Sequence, residues 1–309
     1  MKRFVFLIIP PIVLLIALGP RPKMGSYSPR LSQLPENLDA WLRESESPFP
    51  LRPNVSKTIL WTSSKKSTPK SLIYLHGFSA TRREISPVVE KVSRQITANA
   101  FFTRLKGHGM TGTEIAQVTP SDWFHDAEEA LGIGKRIGKK VIVIGMSSGA
   151  TLAIWLASRH PEILAVILVS PNFSPKDKRA NILLWPWGVR LLKFFVGPER
   201  SWKPKNSSQA EIWTYRYPLE ALVPMALLTK ESLSTDLEKI TMPVLTLFTD
   251  RDETVDTELI KKTFRRFGSK VKDLIEVKEA KEHVLAGDAT SPETTDLVVK
   301  TIVDWVERL

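Results

Sequence analysis

The amino-acid sequence predicts an α/β domain: a doubly wound, mostly parallel central sheet with helices on both faces and a helical insertion in its second half. Three observations carry that expectation. Short β-branched runs alternate with amphipathic stretches from about residue 58 to the C-terminus. The run Val141-Ile142-Val143-Ile144 is apolar on both faces, as a strand covered by helices on both sides must be, and it breaks into Gly145. Finally, 309 residues with 42% hydrophobic and 25% charged side chains suit one such domain with an insertion and a buried core. The same numbers exclude a disordered chain, a collagen-like repeat and a multi-span membrane protein. Zero cysteines exclude a disulfide scaffold, a thiol nucleophile and any cysteine-held zinc or iron–sulfur site.

From the N-terminus, Met1-Lys2-Arg3 precedes an uncharged run over 4–18. Fifteen helical residues span about 22 Å, short of a hydrocarbon core of roughly 30 Å. Gly19 and Pro20, with Lys2 and Arg21 snorkelling, extend it to a marginal span. The expectation for 1–20 is a membrane anchor, with a cleaved export signal as the alternative. The best cleavage site, Ala17-Leu18-Gly19, would leave Pro20 first, which suits a signal peptidase badly. Residues 21–54, rich in Pro and Ser, read as a tether. The folded domain then occupies 55–309.

Within it, strands are expected at 58–61, 72–75, 100–105, 141–144, 165–169, 244–248 and 274–277. Helices are expected at 85–96, 122–137 (with Ser121 as N-cap), 148–158, 257–267 and 294–309. Residues 172–240 break the rhythm. They lack a convincing central strand and are rich in Trp, Phe and Tyr, so they read as a helical cap over a site. Ligands in such sheets bind where the strands end, so the residues just after each strand matter most.

Gly145-Met146-Ser147-Ser148-Gly149 stands between a buried strand and a helix. Small residues let such a turn close sharply and push a serine oxygen outward, and the following helix aims N–H groups and its positive dipole end at a developing oxyanion. Ser147 is therefore the candidate nucleophile. Five histidines compete as its base. His125 and His160 fall on helices or helix ends, His108 in a Gly-rich turn, and His76 just after a strand. His283, in the loop between the last strand and the last helix, can reach Ser147 and is the candidate. An acid should follow the strand at 244–248, where Asp250, Asp252, Glu253 and Asp256 crowd one turn. No metal-ligand cluster stands out, and no cofactor is expected.

With His76-Gly77-Phe78, Gly107-His108-Gly109 and Gly145–Gly149 in place, the chain resembles the α/β-hydrolase superfamily across 55–309. The closer likeness is to its lidded branch of monoacylglycerol lipases, lysophospholipases and serine aminopeptidase-like hydrolases. The resemblance implies a Ser–Asp–His triad in that chain order and an oxyanion hole from the backbone amides of Phe78 and Ser148. His76 and Gly77 support the loop that carries Phe78. The family's acid pattern, apolar-Gly-x-x-Asp-x-x-Val, fits 248–255 if Thr249 replaces the Gly, which points to Asp252 and leaves Asp250 and Asp256 as one-turn alternatives.

The net charge of +11 favours anionic surfaces. Between residues 172 and 206 there are eight Lys/Arg against Asp177 and Glu199, wrapped around Ile182-Leu183-Leu184-Trp185-Pro186-Trp187, Leu191-Leu192 and Phe194-Phe195. This reads either as an element that docks on a membrane surface or as the cap's own core and solvated face. No recognition motif accompanies the basic residues, so nucleic acid is not an expected partner. The functional expectation is a membrane-associated serine hydrolase cleaving a lipid or acyl ester. The alternatives are an amidase or aminopeptidase on the same residues, or a binding protein whose chemistry has lapsed.

Overall fold

The computed structural model describes residues 18–28, 34–62 and 64–309. The apolar run expected to anchor the chain falls almost wholly outside these residues. Among the described residues, no helix is long and apolar enough to cross a membrane.

Seven strands form one sheet: β1 (Thr58–Leu60), β2 (Thr68–Leu75), β3 (Asn99–Phe102), β4 (Gly138–Met146), β5 (Ala165–Val169), β8 (Val244–Phe248) and β9 (Lys272–Glu276). Their order across the sheet is β1-β3-β2-β4-β5-β8-β9, and every pair is parallel except β1 with β3. The order reverses direction at β2 and β4, which makes the end of β4 the place where connections diverge to the two sides.

Strand side chains alternate between two cores, as the period of 2 requires. Ile73, Leu75, Val141, Val143, Val166 and Leu168 face one side. They meet α1 (Leu38–Glu46), α4 (Pro120–Ile137) and α5 (Ser148–Ala157) there. Leu72, Tyr74, Ile142, Ile144 and Ile167 face the other, against α2 (Val88–Gln95) and α10 (Pro292–Val306). The long uniform apolar strand of the sequence is thus split evenly between two buried faces.

Several boundaries differ from the sequence expectation for local reasons. The helix expected at 122–137, with Ser121 as its N-cap, begins at Pro120. Thr119 is its N-cap and exchanges hydrogen bonds with Asp122 in a capping box, while Pro120 needs no donor at the first position. The strand expected at 141–144 runs from Gly138 to Met146, because Lys139 and Lys140 extend the ladder beside Lys70 while their own side chains stay in water. The strand expected at 100–105 stops at Phe102, and the last helix stops at Val306.

The stretch between β5 and β8 is not purely helical. A 3-10 turn (Lys178–Leu184) leads into α6 (Gly188–Val196). Two short antiparallel strands follow, β6 (Glu199–Ser201) and β7 (Arg216–Pro218), with α7 (Ser207–Ile212) between them. A second 3-10 turn (Leu219–Ala221), α8 (Leu222–Ser234) and a third 3-10 turn (Leu237–Lys239) then lead to β8; α3 (Gly112–Ile115), from the main domain, packs against β7, and α9 (Thr257–Arg266) follows β8. Pairs such as Glu199 with Arg216 stitch the ribbon, a cross-strand device invisible to helical periodicity.

Candidate active site

The site is built where β4 ends. Met146 closes the strand, and Ser147 adopts φ +54°, ψ −116° before α5 begins. A branched or bulky neighbour would not fit this turn. A Cβ on Gly145 would lie 2.5 Å from the Ala150 Cα, and one on Gly149 would lie 2.0 Å from the Leu75 carbonyl oxygen. Both glycines are steric necessities of the elbow. The Ser147 N–H donates to the Val169 carbonyl at 2.9 Å, and the Asn172 N–H donates to the Ser147 carbonyl at 3.1 Å, so the strained residue is held from both sides.

His283 arrives from the loop after β9. Its Nε2 accepts from Ser147 Oγ at 2.9 Å, and its Nδ1 donates to Asp252 Oδ2 at 2.6 Å. The other carboxylate oxygen of Asp252 accepts from the N–H groups of Thr254 (2.7 Å) and Val255 (3.1 Å). Burial raises the Asp252 pKa. The His283 contact and these two amides outweigh it, and the carboxyl lies below its ordinary range. The two alternative acids are engaged elsewhere. Asp250 pairs with Lys261 at 2.8 Å; Asp256 caps α9 through Leu259 N–H and pairs with Lys178. Of the crowded carboxylates, Asp252 alone is placed on His283 among the described residues.

The loop after β2 faces the elbow. His76, pushed down to about 4 by complete burial, is neutral; its Nε2 accepts from Leu105 N–H at 3.0 Å and its Nδ1 donates to the Gly77 carbonyl at 2.9 Å. His108, from the Gly-rich turn, accepts from Ser79 N–H at 3.0 Å. Burial likewise holds His108 well below its usual pKa. Between those tied amides, the N–H groups of Phe78 and Ser148 donate to no group among the described residues. Two residues that sequence reasoning passed over also serve the site. Ser170, directly after β5, donates its hydroxyl to the His283 carbonyl at 2.7 Å; Asn172 braces the elbow and passes its side-chain N–H to Ser148 Oγ at 3.4 Å. Their one sequence signal was position, immediately beyond a strand at the sheet's carboxyl edge. His125 and His160 lie apart, the first on the Ser28 carbonyl and the second between Glu128 and Glu162. No cluster of three or more potential metal ligands occurs among the described residues.

Two cavities border this centre. One, of about 240 Å³, has His283, Trp202 and Trp213 in its wall; another, of about 460 Å³, runs between Asn172, Leu183, Leu184 and Met225.

Residues 66–289 of the chain match a family model, serine aminopeptidase S33. The chain belongs to that family. This S33 hydrolase is similar to the thermostable monoacylglycerol lipase of Bacillus sp. (strain H-257), at 26% identity over 226 residues, covering 72% of this chain and 86% of that protein. Among solved structures it resembles the Paleococcus ferrophilus monoacylglycerol lipase (TM-score 0.60, 17% identity, 81% and 97% of the two chains). It also resembles a soluble variant of the Saccharomyces cerevisiae monoglyceride lipase (TM-score 0.62, 14% identity, 82% and 91%). These likenesses establish the α/β-hydrolase fold for the S33 hydrolase.

Proposed function

We propose that this hydrolase cleaves carboxylic esters of single-chain lipids through an acyl-enzyme on Ser147. The observation that carries the reading is the unbroken chain Ser147 Oγ–His283–Asp252 beside two unengaged amides. In the first half-reaction, Ser147 Oγ attacks the ester carbonyl while His283 Nε2 takes its proton. Negative charge then develops on the carbonyl oxygen, where the Phe78 and Ser148 N–H groups and the N-terminus of α5 meet it. Asp252 keeps the ring in one tautomer and stabilises the imidazolium. Collapse expels the alcohol, which takes the proton from His283. Water then enters by the same route and releases the acid.

An apolar acyl chain suits the larger cavity, where Phe173, Leu183, Leu184, Met225, Leu233 and Leu259 share the wall with polar Asn172, Ser174 and Thr229. The exposed face of α6 and the turn before it support a membrane partner: Phe194 is 84% exposed, Phe195 71% and Trp185, in that turn, 56%. Basic residues flank these rings, so the face suits an anionic lipid surface. The two tryptophans that the sequence grouped together differ here. Trp185 stands in solvent, while the Trp187 N–H donates to the Pro20 carbonyl at 3.2 Å and its ring packs beside Gly19. An N-terminal anchor in residues 1–20 would leave the fold beside this same face.

The test is a fluorophosphonate label followed by turnover of matched ester, peptide and aminoacyl-amide panels with acyl chains of graded length. Labelling of the intact protein, absent in Ser147→Ala, with turnover of medium- or long-chain monoesters upholds the reading. Turnover confined to peptides with a free N-terminus would replace it with an aminopeptidase.

A further inference from the structure

One buried acid has no part in the relay described above. Glu84 lies on the loop between β2 and α2, 2% exposed. Its Oε1 accepts two hydrogen bonds, from Tyr74 Oη at 2.7 Å and from the Gly77 N–H. The carboxyl is close to the nucleophile. A Cβ added to Gly77 would lie 2.9 Å from Glu84 Oε2 on one side and 3.3 Å from Ser147 Cβ on the other. Gly77 is therefore pressed between this carboxyl and the nucleophile's own residue.

We propose that Glu84 is a positioning residue for the loop that presents the Phe78 amide to the reacting carbonyl, acting through the hydrogen bond it accepts from Gly77 N–H. The inference rests on the ester-hydrolase reading above and concerns how the oxyanion site is held in place. The loop's polar groups divide cleanly. His76 fixes the Gly77 carbonyl, His108 fixes the Ser79 N–H, and Glu84 fixes the Gly77 N–H. The two histidine ties are made by neutral imidazoles, and Ala80 N–H adds a bond to the Gly77 carbonyl at 3.3 Å. With both flanking amides held, the Phe78 peptide is left with one orientation, and its N–H is the one kept free. An oxyanion donor contributes only when it already points at the forming charge, so a loop that must reorganise at the moment of reaction loses rate. The Glu84 carbonyl also abuts Gly287 of the base loop, and the Ser86 carbonyl accepts from Asp288 N–H at 2.9 Å. The same segment thereby spans from the oxyanion loop to the loop that carries His283.

The surroundings make this acid neutral in the working protein. No cation pairs with Glu84 among the described residues. On its own loop, Arg82 lies over the Phe102 ring and Arg83 pairs with Glu211. From α2, Glu90 accepts from Ser86 and acts on Tyr74; the base loop reaches the segment through the Asp288 backbone N–H, and Tyr74 on β2 donates. Burial pushes the Glu84 pKa up to about 8, against the hydrogen bonds from Tyr74 and Gly77. Ionisation above that pH would place a negative charge one residue from a site that must accept negative charge. Turnover should then fall on the alkaline side with Glu84.

The experiment compares Glu84→Gln and Glu84→Ala in the full chain on one soluble monoester across pH 6 to 10. Glutamine retains an acceptor for Gly77 N–H without a charge. It should keep kcat within about threefold of the wild type near pH 7 and extend the alkaline limb upward. Alanine should lower kcat about 10- to 100-fold while KM moves less than about threefold, a smaller effect than deleting an oxyanion donor outright. Equal losses in both variants, a KM change in step with kcat, or an alkaline limb unchanged in Glu84→Gln would each overturn the proposal. If Glu84→Ala does not fold, the Glu84→Gln limb decides alone. A wild type that turns over no ester at all would instead defeat the functional reading.

Discussion

At the scale of single residues, the relay rests on three side chains delivered by three different loops, and each is restrained by groups that take no part in proton transfer. Asp252 is held by two backbone amides and His283 by the Ser170 hydroxyl on its carbonyl. A coupled nucleophile–base unit fails as a unit, so Ser147→Ala and His283→Ala should each lower kcat by about 10³-fold or more in a steady-state assay. Asp252→Asn should approach that loss by favouring the wrong His283 tautomer, whereas Asp250→Asn and Asp256→Asn should stay near wild-type turnover. An inactive Asp250→Asn beside an active Asp252→Asn would show that the acid turn works in a different register. Ser170→Ala should be intermediate. It frees the His283 carbonyl and should slow kcat several-fold without changing KM.

At the scale of elements, the clearest dependency is α1 on the turn after β3. Its last residue, Glu46, forms a bidentate pair with Arg104 at 2.7 Å, both side chains buried, and accepts a further bond from Lys57 N–H. Removing one partner leaves an uncompensated charge inside, so Glu46→Gln should cost about 3 kcal/mol, read as a lower urea midpoint at unchanged slope. An unaltered midpoint would mean that water reaches Arg104 freely. α6 is the opposite case, since only Gly188 of its nine residues is buried. Phe194→Ala with Phe195→Ala should leave the thermal midpoint alone and spare a soluble short-chain ester. The same pair should cut binding to anionic vesicles about tenfold or more, with salt weakening what remains. A lowered midpoint with no change in vesicle binding would mark these rings as packing residues.

The elements also show what the sequence could and could not disclose. Strands buried on both faces and the Gly-x-Ser-x-Gly turn are local patterns, and they placed Ser147 and the parallel sheet. His283 followed from chain order. Asp252 needed a family pattern, because Asp250, Asp252 and Asp256 share one turn and only the fold shows which carboxylate faces the ring. Glu84, Ser170 and Asn172 were invisible for a different reason. Each acts on a backbone group, the Gly77 N–H, the His283 carbonyl or the Ser147 carbonyl, that no residue spacing points to. The ribbon of β6 and β7 was missed because two three-residue strands carry too little periodicity to be told from loop.

At the scale of the whole molecule, buried acids of opposite character shape the pH range of stability. Asp252 has a depressed pKa, so its contribution is present above the ordinary carboxylate range and is lost as pH falls through its folded value. Glu84 is raised from 4.5 to about 8, so its contribution is full below 4.5 and is lost as pH rises through about 8. Stability should therefore decline on both flanks. The alkaline decline, followed as the thermal midpoint from pH 6 to 9, should be shallower in Glu84→Gln. Parallel slopes in the two proteins would assign it to other groups.

The clasp between the N-terminal segment and the insertion has a mechanical consequence. Pro20 is hydrogen-bonded to the residue that caps α6, and Tyr27 is wedged edge-on against Phe124 and Trp155, its hydroxyl on Glu128. The leader is thus riveted to the body at two points. α6 is nine residues long, about 13 Å, so Phe194 and Phe195 ride on a short lever whose fulcrum is the point where residue 20 meets it. The start of the described chain and the exposed rings of α6 are thereby joined through one contact instead of by a slack leash. The conformational entropy that residues 18–28 would keep as a loose tether is instead surrendered when the domain folds.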